Sequence, residues 1–118
     1  MHFQDLQVYQ KSLQLHLEVH EISLGFPKFE MYELGSQVRR SSNAVPALLA
    51  EGFGNKHTKI YTEGISRSQG ELRETEHHLT VALKKGYITE VKYKELFDRY
   101  EECGKMMTGL GKSLKGNE

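Results

Sequence analysis

Hydrophobic residues recur at intervals of three and four along most of the chain, which is the spacing of helices with one buried face. The last segment shows the interval at Tyr93, Leu96, Tyr100, Cys103, Met107, Leu110 and Leu114. Earlier segments show it at Tyr61, Ile65, Ser68, Leu72, Thr75, Leu79 and Ala82, and at Met31, Leu34, Val38, Ser41, Val45 and Leu48. We therefore predict three amphipathic helices here.

Three short stretches interrupt this pattern: Gly25-Phe26-Pro27, Gly52-Phe53-Gly54-Asn55 and Gly86-Tyr87-Ile88-Thr89. In the last of them, Thr89 is a suitable N-cap for a helix whose first turn contains Glu90. The predicted helices then cover residues 4–24, 29–52, 57–85 and 89–114. Helices of similar length joined by short loops predict an all-α fold, an up-down-up-down antiparallel four-helix bundle with a single domain over residues 1–118.

The first segment is ambiguous, because its residues from Leu13 to Val19 alternate strictly, as in a strand. A lone strand would have nothing to pair with, so we predict a helix. Its apolar residues then form two stripes, one of Leu6, Tyr9, Leu13, Leu17 and Leu24, and one of Val8, Leu15, Val19 and Ile22. One core buries one face, so we predict that the second stripe is exposed and forms a subunit interface. The alternative is a wide buried stripe, covered by the loop between the second and third helices.

Composition narrows the class of protein. The chain has 118 residues, 16 basic against 16 acidic, and one cysteine. A single cysteine cannot form an internal disulfide, and no apolar run is long enough to span a membrane, so we expect a cytoplasmic protein without membrane contact.

The zero net charge weighs against strong sequence-independent binding of polyanions. By segment, however, residues 1–53 are mildly acidic, residues 54–88 are mildly basic, and residues 89–118 balance at six charges of each sign. The candidate contacts to an anionic partner are Arg39, Arg40, Lys56 and Lys59.

Candidate catalytic and metal-binding chemistry is sparse. His16 and His20 are four residues apart on the first helix, a spacing that can ligate zinc. The second Glu-x-x-His motif of a di-iron bundle is absent, so we expect neither a metal nor another cofactor. Cys103 occupies a core-facing position, where a thiol is usually inert. We do not expect an enzyme.

The end of the second helix carries an unusual combination of residues. Pro46 inside the helix leaves the Ser42 carbonyl without its helical donor, which favours a bend and pairing by the Ser41 or Ser42 hydroxyl. Glu51 stands unfavourably at the negative end of the helix dipole, so we predict a salt bridge to a neighbouring helix or subunit. Gly52 is the predicted C-cap.

Spaced motifs over nearly the whole chain add a resemblance to a known family. They are Phe3-Gln4-Asp5-Leu6, Tyr9-Gln10-Lys11, Phe26-Pro27, Glu30, Tyr32, Leu34, Gln37, Arg40, Val45-Pro46, Ala50-Glu51-Gly52, Gly70, Glu74, Leu79, Ala82 and Gly86-Tyr87-Ile88. This pattern resembles the four-helix-bundle proteins of the 23S rRNA intervening-sequence family, also called S23-type proteins. The chain departs from the family pattern at three positions. Members often have serine where this chain has Ala44, asparagine where it has Leu48, and serine where it has Glu71 after Gly70.

The resemblance implies a bundle that assembles into a small ring, usually of five subunits, without an agreed biochemical activity. We accordingly expect a homo-oligomeric binding or scaffold protein that associates weakly with nucleic acid or ribonucleoprotein. Its expected partners, besides further copies of itself, are RNA, DNA or an enzyme that acts on nucleic acid. One alternative is an accessory partner of a retroelement reverse transcriptase, because the accessory proteins of such elements are similar bundles. Another is a bundle with a histidine-lined metal or small-molecule site.

Overall fold

Four α-helices make up most of residues 1–115, the part of the chain that the computed structural model describes. They are α1 (Gln7–Leu24), α2 (Leu34–Gly52), α3 (Thr58–Lys84) and α4 (Glu90–Lys115), and short 3-10 turns cover Phe3–Asp5 and Lys28–Glu30. α1 and α3 each pack on both α2 and α4 in a body of 48 × 25 × 20 Å. The predicted all-α four-helix bundle is confirmed, as is the helical interpretation of the first segment.

The core follows the predicted three-and-four spacing on α3 and α4 and over Leu34–Val45 on α2. Of the other residues predicted there, Met31 is 48% exposed and Leu48 is half-buried, whereas Leu49 is buried. Its largest fully buried apolar side chains are Leu15, Val19, Val38, Val45, Leu49, Leu79, Leu96, Tyr100, Cys103 and Met107. α2 and α3 approach each other closely where two glycines face each other. A Cβ atom on Gly64 would lie 3.3 Å from the Leu48 carbonyl oxygen and 3.5 Å from Gly52 Cα. Gly52 and Gly64 therefore let these two helices pack backbone against backbone.

The stripe of α1 that we predicted to be exposed lies in the core instead. Val8, Leu15 and Val19 are 3%, 1% and 1% exposed, and Ile22 is half-buried against them. Two serines on the same face, Ser12 and Ser23, are also buried, and their hydroxyls donate to carbonyls within α1. The prediction of exposure failed because serines whose hydroxyls bond to their own helix can occupy core positions.

The other stripe of α1 is the more exposed one. Leu17 is 52% exposed and Leu24 is 59% exposed, whereas Leu6, Tyr9 and Leu13 are partly covered. Of the predicted interface residues, Val8, Leu15 and Val19 thus offer almost no surface to a second subunit, and Ile22 offers only part of its side chain.

Two helix starts differ in how well the sequence predicted them. α2 begins at Leu34 rather than at 29, because residues 28–30 form the 3-10 turn and the Glu30 carboxylate accepts a bond from the Leu34 N–H at 3.4 Å. α4 begins as predicted after Thr89, whose hydroxyl accepts a hydrogen bond from the Lys92 N–H at 3.1 Å. Gly86, at φ +80°, makes the preceding turn with a left-handed backbone.

Pro46 lies inside α2, as predicted, and its side chain is buried. The Ser41 and Ser42 hydroxyls donate to the Val38 and Arg39 carbonyls, not to the Ser42 carbonyl, so our assignment of that bond is wrong. The Ser68 hydroxyl of α3 donates to the Val45 carbonyl at 2.7 Å and fastens the two helices together beside the proline.

The C-terminal end of α2 also differs from the prediction. Gly52 is the last helical residue rather than the cap, which is Phe53, and the left-handed residue is Gly54, at φ +66°. Glu51 is exposed and forms no ion pair with any cation among residues 1–115. Its predicted salt bridge to a neighbouring helix is therefore not made within one subunit.

Candidate functional surfaces

Arg39 and Arg40, two of the predicted contacts to an anionic partner, are engaged within the subunit. The Arg39 guanidinium donates to the Ser23 hydroxyl at 3.0 Å and to the Met31 carbonyl at 2.6 Å. Arg40 pairs with Glu74 and with Glu71, and these carboxylates raise the pKa of its guanidinium. Both arginines therefore connect parts of the bundle, Arg39 the α1–α2 connection and Arg40 the α2–α3 face.

Lys56 and Lys59, the other two predicted contacts, are exposed near the start of α3. Neither forms an ion pair with a carboxylate in the described part of the chain. Their charges are consequently free to meet an anion from outside the subunit.

α4 divides into two halves of different charge. Residues 90–102 contain five acidic residues and three basic ones, whereas residues 103–115 contain three lysines and no acidic residue. Each cation of the first half is in an ion pair: Lys92 with Glu95, Lys94 with Asp98, and Arg99 with Glu18 and Glu95. The lysines of the second half, Lys105, Lys112 and Lys115, are exposed and unpaired with the carboxylates of residues 1–115.

A groove between α3 and α4 follows this basic half. One part has a volume of about 490 Å³ and an adjoining part about 340 Å³. Gln69 and Thr108 line both parts, and the Gln69 amide donates to the Thr108 hydroxyl across the groove at 3.0 Å. The cations along it are Lys59, Arg73, Lys105, Lys112 and Lys115. Among residues 1–115, two carboxylates, Glu63 and Glu101, line it as well. The described lining is therefore net positive, and we call this surface the basic groove.

The connection between α1 and α2 presents apolar side chains to solvent at the other end of the bundle. Leu24, Phe29, Met31 and Tyr32 are 59%, 68%, 48% and 87% exposed, and we call these four residues the apolar end. Several large apolar side chains exposed close together in the chain are typical of a contact surface.

A buried carboxylate holds this connection in place. Glu30 is 1% exposed, and its Oε2 atom accepts hydrogen bonds from Lys85 Nζ at 2.9 Å and from the Tyr87 hydroxyl at 2.8 Å. The hydrogen bond from Lys85, then that from Tyr87, lowers the pKa of Glu30 below its ordinary value. Sequence reasoning assigned no role to Glu30. No local sequence pattern indicates this role, because the partners Lys85 and Tyr87 lie more than fifty residues away in the chain.

The two histidines considered as metal ligands have other surroundings. His16 Nδ1 lies 2.7 Å from the Ser42 hydroxyl, and its ring centroid is 6.1 Å from that of His20. Burial, and then the nearby His20 ring, lowers the pKa of His16. Within residues 1–115, no three histidine, cysteine or acidic side chains come close enough together to hold a metal ion. Ser42 has no exposed surface, so its hydroxyl is not presented to solution, whereas His16 is half-buried.

Two further titratable groups are buried, Glu76 on α3 and Cys103 on α4. Burial raises the pKa of the Cys103 thiol to about 11, which keeps this fully buried side chain protonated. Glu76 is 8% exposed, and burial, together with the neighbouring Glu101 carboxyl, raises its pKa to about 8. Glu76 is therefore mainly protonated at neutral pH and adds little negative charge behind the basic groove.

Comparisons with known proteins agree with this fold. A family model described as "23S rRNA-intervening sequence protein" matches residues 4–109. The chain also resembles the crystal structure of a protein of unknown function from the S23 ribosomal protein family of Bacteroides thetaiotaomicron VPI-5482. That match has a TM-score of 0.81 and 20% identity and covers 89% of this chain and 95% of the other. None of the curated proteins compared with the chain matches it. Along residues 1–115, no helix combines the length and apolarity needed to cross a membrane.

Proposed function

Because the chain belongs to the 23S rRNA-intervening sequence protein family, we propose that it is a non-catalytic, homo-oligomeric binding or scaffold protein. In this proposal five subunits form a ring in the cytoplasm, and the ring associates weakly with nucleic acid or ribonucleoprotein. The ring would multiply contacts that are individually weak, since linked sites raise the effective concentration of one another.

The apolar end is the observation that carries the proposal. Phe29 and Tyr32 expose most of their surface, yet the segment that bears them is fastened by Glu30 and Arg39 to the rest of the bundle. An ordered backbone with exposed aromatic side chains favours association, because little conformational entropy is lost when these side chains become buried. A second subunit is the partner that is always present at the same concentration.

Sedimentation velocity of the purified protein tests this proposal. We expect a species of five times the subunit mass of 13.6 kDa. The double variant Phe29→Asp/Tyr32→Asp should sediment as a monomer with an unchanged helical circular dichroism spectrum. Ile60→Asp is the control, because Ile60 is likewise a large apolar residue with an exposed side chain (46%) but lies at the start of α3. This variant should leave the oligomer intact.

A wild-type protein that remains monomeric at tens of micromolar would contradict the proposal. Dissociation by Ile60→Asp, with the Phe29 and Tyr32 double variant still oligomeric, would instead place the subunit contact at the opposite end of the bundle.

A further inference from the structure

We infer that the basic groove binds the sugar–phosphate backbone of a double-helical nucleic acid, without reading its base sequence. The inference takes the class of partner from the proposed function and names the site and the form of the nucleic acid. It does not depend on the apolar end.

The first reason is that the cations of the groove form no ion pair with a carboxylate of residues 1–115. Elsewhere in residues 1–115, cations such as Lys94 and Arg40 form ion pairs with nearby carboxylates. Within the same described residues, Lys105, Lys112 and Lys115 form none, and their half of α4 contains no acidic residue. Like charges gathered on one surface repel one another, and phosphate groups would relieve that repulsion.

The second reason is the length over which these cations are spread. From Lys59 to Arg73, α3 rises about 21 Å, and from Lys105 to Lys115, α4 rises about 15 Å, at 1.5 Å per residue. Phosphates of one strand of a duplex follow each other at about 3.4 Å along the helix axis. The groove therefore matches a run of roughly four to six phosphates of one strand.

The third reason is the chemistry between the cations. Thr62, Ser66, Gln69 and Thr108 line the groove and offer hydroxyl and amide groups, which commonly contact phosphate and sugar oxygens. None of the lining residues is aromatic. Single strands are usually held by stacking their bases on aromatic side chains, so the groove suits the outside of a duplex better than a single strand.

Fluorescence anisotropy with a short mixed-sequence RNA duplex tests the inference, with a DNA duplex and a single-stranded RNA of equal length as separate arms. We expect the duplex affinity to fall steeply with salt, with a slope of log K against log salt of about −4.5 if five cations of one subunit contact phosphates. The variant Lys105→Ala/Lys112→Ala should weaken duplex binding at least tenfold at low salt and reduce the slope by about 1 per lysine removed.

The matched control is Lys92→Ala/Lys94→Ala, which removes the same charge from the same helix at positions already in ion pairs. Its duplex affinity should stay within twofold of wild type. Tighter binding of the RNA duplex than of the DNA duplex would identify contacts to the 2′-hydroxyl, and equal binding would identify phosphate contacts alone. Both results support the inference.

Three results would overturn it: no duplex binding by the wild type at low salt, equal weakening by the two double variants, or tighter binding of the single strand. Sedimentation of the same samples separates this failure from failure of the proposed function. A monomeric protein that loses duplex binding only in Lys105→Ala/Lys112→Ala contradicts the ring but supports the groove. A pentamer that binds the duplex equally well in both double variants supports the ring but contradicts the groove.

Discussion

The two halves of α4 share one buried face and differ on the outside. Leu96 and Tyr100 in the first half, and Cys103 and Met107 in the second, are all completely buried. Outside, the first half pairs every cation with a carboxylate, and the second half leaves its lysines unpaired with any carboxylate of residues 1–115. The inner face is constrained by the bundle, whereas the outer face can differ without changing the fold. The unpaired charges on that outer face are not required by the fold, and they are the surface that we propose meets a partner.

The largest expected effect is the difference in stability between a substitution on the buried face of α1 and one on its exposed face. Leu15→Glu places a charge at a position that is 1% exposed and should cost more than about 3 kcal/mol, enough to unfold much of the protein. Leu17→Glu, at a position 52% exposed, should change the stability by about 0.5 kcal/mol or less.

Thermal unfolding followed by circular dichroism measures both variants. A Leu15→Glu protein that stays folded and loses only its oligomeric state would restore the interface that we first predicted for Val8, Leu15, Val19 and Ile22.

A smaller effect concerns the core behind the basic groove, where Glu76 is kept protonated. Its pKa is about 8 in the folded protein against an ordinary value of 4.5, so between these values the folded state holds a proton that the unfolded state has released. Stability from this group is therefore complete below pH 4.5 and falls as the pH rises to about 8. Melting temperatures from pH 5 to 9 should fall by several degrees more for wild type than for Glu76→Gln. Parallel curves for the two proteins would show that Glu76 ionises normally.

The smallest expected effect compares paired and unpaired cations directly. Arg99→Ala removes bonds to Glu18 and Glu95 and should lower the stability by about 0.5–1 kcal/mol. Lys112→Ala should leave the stability unchanged or raise it slightly, because this lysine forms no ion pair with residues 1–115 and lies among like charges. Urea unfolding of the two variants measures the difference. A Lys112→Ala protein that loses as much stability as Arg99→Ala would mean that Lys112 serves the fold.

Much of the fold could be predicted from the sequence, because the three-and-four spacing of apolar residues determines which face of each helix is buried. The face of α1 could not be predicted by counting apolar residues alone, since Ser12 and Ser23 complete its buried side. Pairs such as Lys11 with Glu102, or Glu30 with Lys85, join residues far apart in the chain and leave no local signal.

The candidate site was only half predictable for a similar reason. Arg39-Arg40 and Lys56 with Lys59 look alike as basic clusters, and the structure alone distinguishes those that are engaged from those that are free. The charge division of α4 was present in the sequence. The total for residues 89–118, six charges of each sign, conceals this division, because it adds an acidic half to a basic one.

Protection of lysines from acetylation tests the central claim most directly, since mass spectrometry measures each lysine in one intact sample, whatever its oligomeric state. With an RNA duplex bound, we predict slower acetylation of Lys59, Lys105 and Lys112, and unchanged acetylation of Lys92 and Lys94. Protection of Lys92 and Lys94, with no change at Lys105 and Lys112, would contradict the assignment of the basic groove as the nucleic-acid surface.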